Sequence, residues 1–240
     1  MMRKIIIICV FSGIISCSYA QLAKFYSINI ANDSKNIQTY DLAFVLCEYE
    51  KYAMWLVESY DETWYYFISE GKYKVNDDTL ILTDFYTHHQ MKYKFDNPYV
   101  YPVITFPFMT GKVFIDYGQR DSAKCEIIKV PQSAKEISDF KKENNQEYTL
   151  EKGLYKFFKW KIELADDNKF EIHLNVDLYY TRNSDSSLDL LLFTGTWKRD
   201  GNILLLWDTN FEHQFYGFIR EDGIELPGFS FFKEPVFKKE

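Results

Sequence analysis

The sequence predicts an all-β protein: two tandem antiparallel β-meander modules, each a small barrel, joined by a short helical linker and preceded by an N-terminal signal peptide. Three observations carry that expectation. The stretch FISEGKYKVNDDTLILTD at 67–84 returns as LLFTGTWKRDGNILLLWD at 191–208, a constant offset of 124. Inside both copies apolar and polar residues alternate with a period of two, the mark of a strand with one buried and one wet face. The chain also opens on a basic head, an apolar stretch and a small-residue end, the three-part layout of an export signal.

Residues 1–20 read MMRKIIIICVFSGIISCSYA, with Arg3 and Lys4 ahead of the apolar run from Ile5 to Ile15. That run is about half of the roughly twenty residues a helix needs to cross a bilayer. The longest later run, VYPVITFPFM, is interrupted by Pro102 and Pro107. An exported chain with no transmembrane segment is therefore expected, placed in the periplasm, at the outer-membrane surface or outside the cell. Two readings of the leader stay open. Ser18 and Ala20 suit ordinary cleavage before Gln21, whereas Ile14-Ile15-Ser16-Cys17 resembles a lipobox in which Cys17 becomes the lipid-carrying first residue.

Without residues 1–20 the chain keeps 26 basic and 35 acidic residues, a net charge of −9, and no basic cluster falls on one element. Nucleic acid and anionic membrane surfaces both need a concentrated positive patch, so neither is an expected partner. Cys47 and Cys125 are then the remaining cysteines. In an oxidising compartment they are a candidate disulfide, although spacing alone does not bring two Cβ atoms together.

The first module is assigned to 21–131 and the second to 150–240. Upstream of the opening pair, FVLCEYEKYAMWL at 44–56 lies over IELADDNKFEIHL at 162–174 at an offset of 118; downstream, HQMKYKF at 89–95 lies over HQFYGFI at 213–219 at 124. The change of offset falls on TRNSDSS at 181–187, a turn-rich insertion that a loop absorbs at little entropic cost. Phe170, Ile172, Leu174 and Val176 alternate with Glu171, His173, Asn175 and Asp177. This segment is thus a strand entered from a turn at Asp166-Asp167-Asn168, matched by Glu48-Tyr49-Glu50 in the first copy. The opening pair forms the next hairpin. Tyr73 or Trp197 anchors one strand, Asn76-Asp77-Asp78 or Asp200-Gly201-Asn202 turns it, and Leu80/Leu82 or Leu204/Leu206 return on the buried face.

Gly71 and Gly195 begin that hairpin, where a bulge or a close backbone approach leaves no room for a Cβ. About six to eight strands per copy are enough for a barrel that closes its own edges; edge-to-edge pairing of the copies into one larger sheet is the alternative. Between the modules, at 132–149, Ser133 and Glu136 follow Pro131 as a capping box ahead of a charged run, which predicts a short exposed helix.

The order of strand, Asp-x-x-Phe turn, strand, Gly-x-Trp/Tyr, Gly/Asn-Asp turn and Leu-x-Leu resembles the lipocalin-like and NlpE-like β-meander domains of bacterial envelopes. The carriers are Asp167, Phe170, Gly195, Trp197, Gly201, Leu204 and Leu206, with Tyr52, Gly71, Tyr73, Asp77, Leu80 and Leu82 in the first copy. The resemblance implies an envelope location and a barrel, with no particular activity. The Cys-x-x-Cys of the copper-lipoprotein group is not in this sequence, so metal or redox sensing by that route is not implied.

No Gly-x-Ser-x-Gly, His-Glu-x-x-His, Gly-rich phosphate loop or Gly-x-Gly-x-x-Gly occurs, so neither a catalytic set nor a cofactor or metal is assigned. His89 and His213 occupy matching places at the rim of the apolar face. One histidine per copy makes a poor ligand set, and a half-buried imidazole satisfied by a backbone partner is expected. Asp84 and Asp208 also coincide; acid and base work across a cleft is one reading, turn chemistry at a strand end the other.

Opposite the core, His173 stands where the first copy has Trp55, and Trp207 where it has Thr83. Trp55, His173 and Trp207 are thus the candidate binding residues, with packing against the linker or between the copies as the competing account. The expected function is that of an exported, non-enzymatic envelope protein binding a small ligand or another envelope component. The alternatives are a carboxylate-based hydrolase site at a barrel mouth and a purely structural interaction module.

Overall fold

A computed structural model describes residues 22–33, 38–47, 49–59, 63–121, 140–141, 146–177, 187–227 and 236–240. The expected leader with Cys17, the segment with Cys125 and, apart from Phe140, Lys141 and 146–149, the expected helical linker lie outside them. The first copy forms β1 (Leu22–Asp33), β2 (Gln38–Cys47), β3 (Lys51–Ser59), β4 (Thr63–Asn76), β5 (Thr79–Asp84), β6 (Gln90–Asp96), β7 (Tyr99–Ile104) and β8 (Phe114–Asp121), with a 3-10 turn at Pro107–Met109. The second forms β9 (Gly153–Phe157), β10 (Trp160–Leu164), β11 (Lys169–Asp177), β12 (Ser187–Asp200), β13 (Ile203–Asp208), β14 (His213–Arg220), β15 (Gly223–Glu225) and β16 (Val236–Lys239). Each set of eight closes on itself as an antiparallel barrel, β1 against β8 and β9 against β16. Closure leaves neither copy an open sheet edge to offer the other.

The duplication extends to single backbone details. The bounds of β3 and β11 differ by the offset of 118, and those of β4 and β12, and of β5 and β13, by 124. A register shift between Met54 and Trp55 recurs between Ile172 and His173, so the same bulge bends both barrels at the same place. A Cβ on Gly71 would sit 1.9 Å from the Thr83 carbonyl oxygen, and one on Gly195 1.9 Å from that of Trp207. That close approach is why both copies keep glycine there. The Tyr73 N–H donates to the Glu50 carbonyl at 2.7 Å and the Trp197 N–H to that of Asn168 at 2.8 Å, pinning each hairpin to the preceding turn.

Inside barrel 1 the rings of Tyr26, Phe44, Phe114 and Tyr93 pack against one another, with Phe44 at 4.7 Å from Tyr26 and 4.8 Å from Phe114. Barrel 2 is filled by Phe170, Ile172, Leu174, Val176, Leu192, Leu204, Leu206 and Phe215. One contiguous apolar cluster runs through both interiors. The two barrels meet rim to rim, and the contacts are reciprocal. His89 packs on Phe211 at 4.5 Å between ring centres, and His213, the twin of His89, donates from Nε2 to the carbonyl of Thr87, the twin of Phe211, at 2.7 Å. This is the isologous pattern of a two-fold dimer within a single chain. Phe106 and Phe193 complete the aromatic junction, 5.4 Å apart, and Asn210 donates across it to the Thr105 carbonyl.

The expectation of one buried and one wet face holds along β11, where Glu171 is exposed between buried Phe170 and Ile172, and fails along β2 to β4. There the outward residues Val45, Cys47, Ala53, Trp55 and Phe67 are buried too and form a second apolar cluster. The described part of the linker belongs to the surface of barrel 2. Phe140 stacks on Phe218 at 4.1 Å, and Lys141 pairs with Asp200 at 2.8 Å. The Asn202 side chain accepts from the Tyr148 N–H at 2.9 Å and donates to the Gln146 carbonyl at 2.5 Å.

Candidate functional site

The three residues singled out from the sequence do not share one surface. Trp55 lies in the outward cluster of barrel 1 and is only 4% exposed. On barrel 2, His173 is held between Glu171 at 3.1 Å and Asp189 at 3.3 Å. Trp207 is 45% exposed on β13, its strand partner on β12 being Thr196, whereas that of His173 is Leu191. Cys47 is disulfide-bonded; Cys125, its expected partner, is outside the described residues.

The two barrels differ most tellingly at another place. Position by position, Tyr52, Ser69 and Thr87 of barrel 1 stand where barrel 2 has Phe170, Phe193 and Phe211, while Asp84 and His89 keep their counterparts Asp208 and His213. The three hydroxyls link what the phenylalanines separate. Ser69 donates to Asp84 Oδ2 at 2.6 Å, and Tyr52 lies 2.7 Å from Ser69 Oγ. Since the one Ser69 proton is committed to the carboxylate, Tyr52 is the donor to Ser69. Asp84 Oδ1 accepts from the N–H groups of Tyr86 and Thr87, both at 2.8 Å, and from the Thr87 hydroxyl at 3.0 Å. The Thr87 oxygen also meets His89 Nδ1; its own proton being used, Nδ1–H must donate. The chain from Tyr52 to His89 thereby fixes the imidazole tautomer, and Nε2 is left as a bare lone pair.

Among the described residues nothing bonds that nitrogen, and His89 is 2% exposed, ringed by Phe106, Phe193 and Phe211 at 5.4, 5.2 and 4.5 Å. Burial drags its pKa down to about 4, opposed by the charge of Asp84. His213 meets the expectation of a backbone partner; His89 departs from it. Burial also lifts Tyr52 well above the usual tyrosine range, with Asp84 adding to the effect.

In barrel 2 the matching carboxylate needs no hydroxyl: Asp208 accepts from the N–H groups of Phe211 at 2.7 Å and Thr194 at 2.9 Å. Both aspartates hold the turn that follows their strand, which is the turn-chemistry reading of the pair. Nor does the relay have the order that acyl transfer requires. Ser69 is fully buried and donates to a carboxylate rather than to an imidazole.

A second polar group lies toward the other hairpin ends of β2, β3 and β4. Glu58 is buried among interior-facing residues, accepting from Tyr66 at 2.7 Å and Tyr40 at 3.2 Å. Ile28 and Ile30 of β1 pack against the same core. The counterparts of Glu58 and Tyr66 are Val176 and Leu190, both buried. The fold therefore accommodates an apolar pair where barrel 1 carries a carboxylate and a phenol. Known protein families, characterised proteins and solved structures offer no match to the chain.

Proposed function

We propose that the chain is an exported, non-enzymatic envelope protein of the lipocalin-like kind, in which barrel 1 binds a small amphipathic ligand and barrel 2 serves as scaffold. The observation that carries this reading is the carboxylate–phenol group of Glu58, Tyr40 and Tyr66 at an apolar barrel end, set against Val176 and Leu190 in the twin. Ligand sites combine apolar walls with a few placed polar groups, and this reading takes its walls from Ile28, Ile30 and Tyr26 of the same core. The twin provides the test. Glu58→Val with Tyr66→Leu installs the residues that the same fold already carries in barrel 2. Native mass spectrometry of the protein purified from its own envelope is expected to show a retained small molecule, which the double variant loses while its circular dichroism is unchanged. A wild-type protein that emerges empty, or a variant that retains the same ligand, refutes the reading.

A second reading has its own observation. Tyr99, Tyr101, Val103, Ile115 and Tyr117 are exposed together on the outward faces of β7 and β8, and a patch of this kind suits an interaction module. Loss of co-purifying protein on substituting Tyr99 and Tyr101, with the ligand experiment negative, favours that alternative.

A further inference from the structure

The junction between the barrels is held on two pseudo-symmetric histidines that carry their proton on different ring nitrogens. His213 uses Nε2–H to reach the Thr87 carbonyl, a bond that survives whether or not the ring gains a second proton. His89 is the reverse case. Its Nδ1–H is spent on Thr87, its bare Nε2 is buried without a partner among the described residues, and ring carbon from both barrels surrounds the imidazole: Phe106 from one, Phe193 and Phe211 from the other. A proton added at Nε2 creates a cationic donor with no acceptor in reach among the described residues, placed where the two rims touch. A buried donor without a partner, still more a buried charge, is among the costliest defects a packed interface can contain.

We propose that His89 is an acid-operated latch: protonation of its Nε2 separates the two rims while each barrel keeps its sheet. Among the described residues the ionisable groups around it are few. Asp84 on β5 acts through Thr87 and favours the charged ring, whereas His88 on the same turn and His213 on β14 oppose it. Across the junction the Asp208 carboxylate is engaged by the N–H groups of Thr194 and Phe211. The connection carrying Phe106 and Met109, and the segment of β12 at Phe193, present apolar side chains. Separation exposes Phe106, Phe193 and Phe211, so the acid form displays an aromatic rim that the neutral form hides.

The test uses the intact chain with its disulfide, followed from about pH 7 to about pH 3 by small-angle scattering for shape and far-ultraviolet circular dichroism for strand content, the two observables that distinguish loosening from unfolding. The wild type is expected to lengthen with a midpoint between 6.5 and the His89 value of about 4, its strand signal unchanged. His89→Phe and His89→Gln, one apolar and one neutral polar, are each expected to stay compact at least about one pH unit lower, a shift worth about tenfold in proton affinity. The proposal is overturned if the wild type stays compact throughout, if shape and strand signal change in a single transition, or if both His89 variants lengthen at the wild-type pH.

Discussion

Two buried ionisable groups of barrel 1 should tilt stability against pH in opposite directions, and removing either one exposes the other. Glu70 is 4% exposed beside Ala53 on the outward face of β4, with the Tyr86 hydroxyl donating to it at 3.1 Å. Burial raises its carboxyl from 4.5 to about 7, helped by Asp84 and countered by the Tyr86 bond and by Lys51. His89 moves from 6.5 to about 4, also chiefly through burial. A raised folded value means that folding takes up a proton, so the Glu70 contribution is fully present below pH 4.5 and is lost as the pH climbs through 7. A lowered one means that folding releases a proton, so the His89 contribution is present above pH 6.5 and is lost as the pH falls through 4. Each shift corresponds to about 3 kcal/mol, with a slope near 1.4 kcal/mol per pH unit inside its window. Between pH 4.5 and 6.5, where the windows overlap, the two slopes nearly cancel. Urea unfolding of the disulfide-intact protein at the two ends of that window reads the effect. Relative to wild type, Glu70→Gln should lose about 2–3 kcal/mol between the upper and the lower pH, and His89→Phe should gain about as much. Profiles of the two variants that run parallel to wild type refute the assignment of either group as buried and shifted.

Gly195→Ala places a methyl group against the Trp207 carbonyl oxygen and should cost about 3 kcal/mol in thermal or urea unfolding. Gly201→Ala, with no atom near the added carbon but a φ of +59, is expected to cost about 1 kcal/mol. Asn202→Ala removes both bonds to the linker backbone; a loss of about 2 kcal/mol and faster proteolytic nicking near residue 146 should follow. Ser69→Ala leaves the Tyr52 hydroxyl and one Asp84 oxygen without their partner, at about 1–3 kcal/mol. Tyr52→Phe added to it should cost less than on its own, with a coupling of at least about 0.5 kcal/mol in a double-mutant cycle.

The repeat was the most legible feature of the sequence, because strand packing repeats its demands in both copies. Alternation around Phe170 and Ile172, the turns at Asp77 and Gly201, and the paired Gly71 and Gly195 each reflect a local rule, and local rules are visible without coordinates. What stayed hidden depends on closure and on contacts between residues more than a hundred positions apart. Trp55 alternates like a solvent-facing residue, yet Val45, Ala53 and Phe67 surround it once β2, β3 and β4 lie side by side. The junction of His89 with Phe211 follows no periodicity. The polar relay did leave a trace: three aligned positions exchange a hydroxyl for a phenyl ring, Tyr52 for Phe170, Ser69 for Phe193 and Thr87 for Phe211. Read as side-chain variation, the exchange says little; read as a proton-bearing chain it requires knowing that all three face one interior.

The mirrored contacts of His89 with Phe211 and of His213 with Thr87 also bear on how such a molecule diverges. In a pair of identical subunits every substitution appears twice, and a bulky ring introduced on one flank of the axis meets its own copy on the other. Covalent joining removes that coupling, so one half can acquire rings while the other keeps hydroxyls. The asymmetry at this axis is a specialisation open to a tandem chain and closed to any assembly of equal partners.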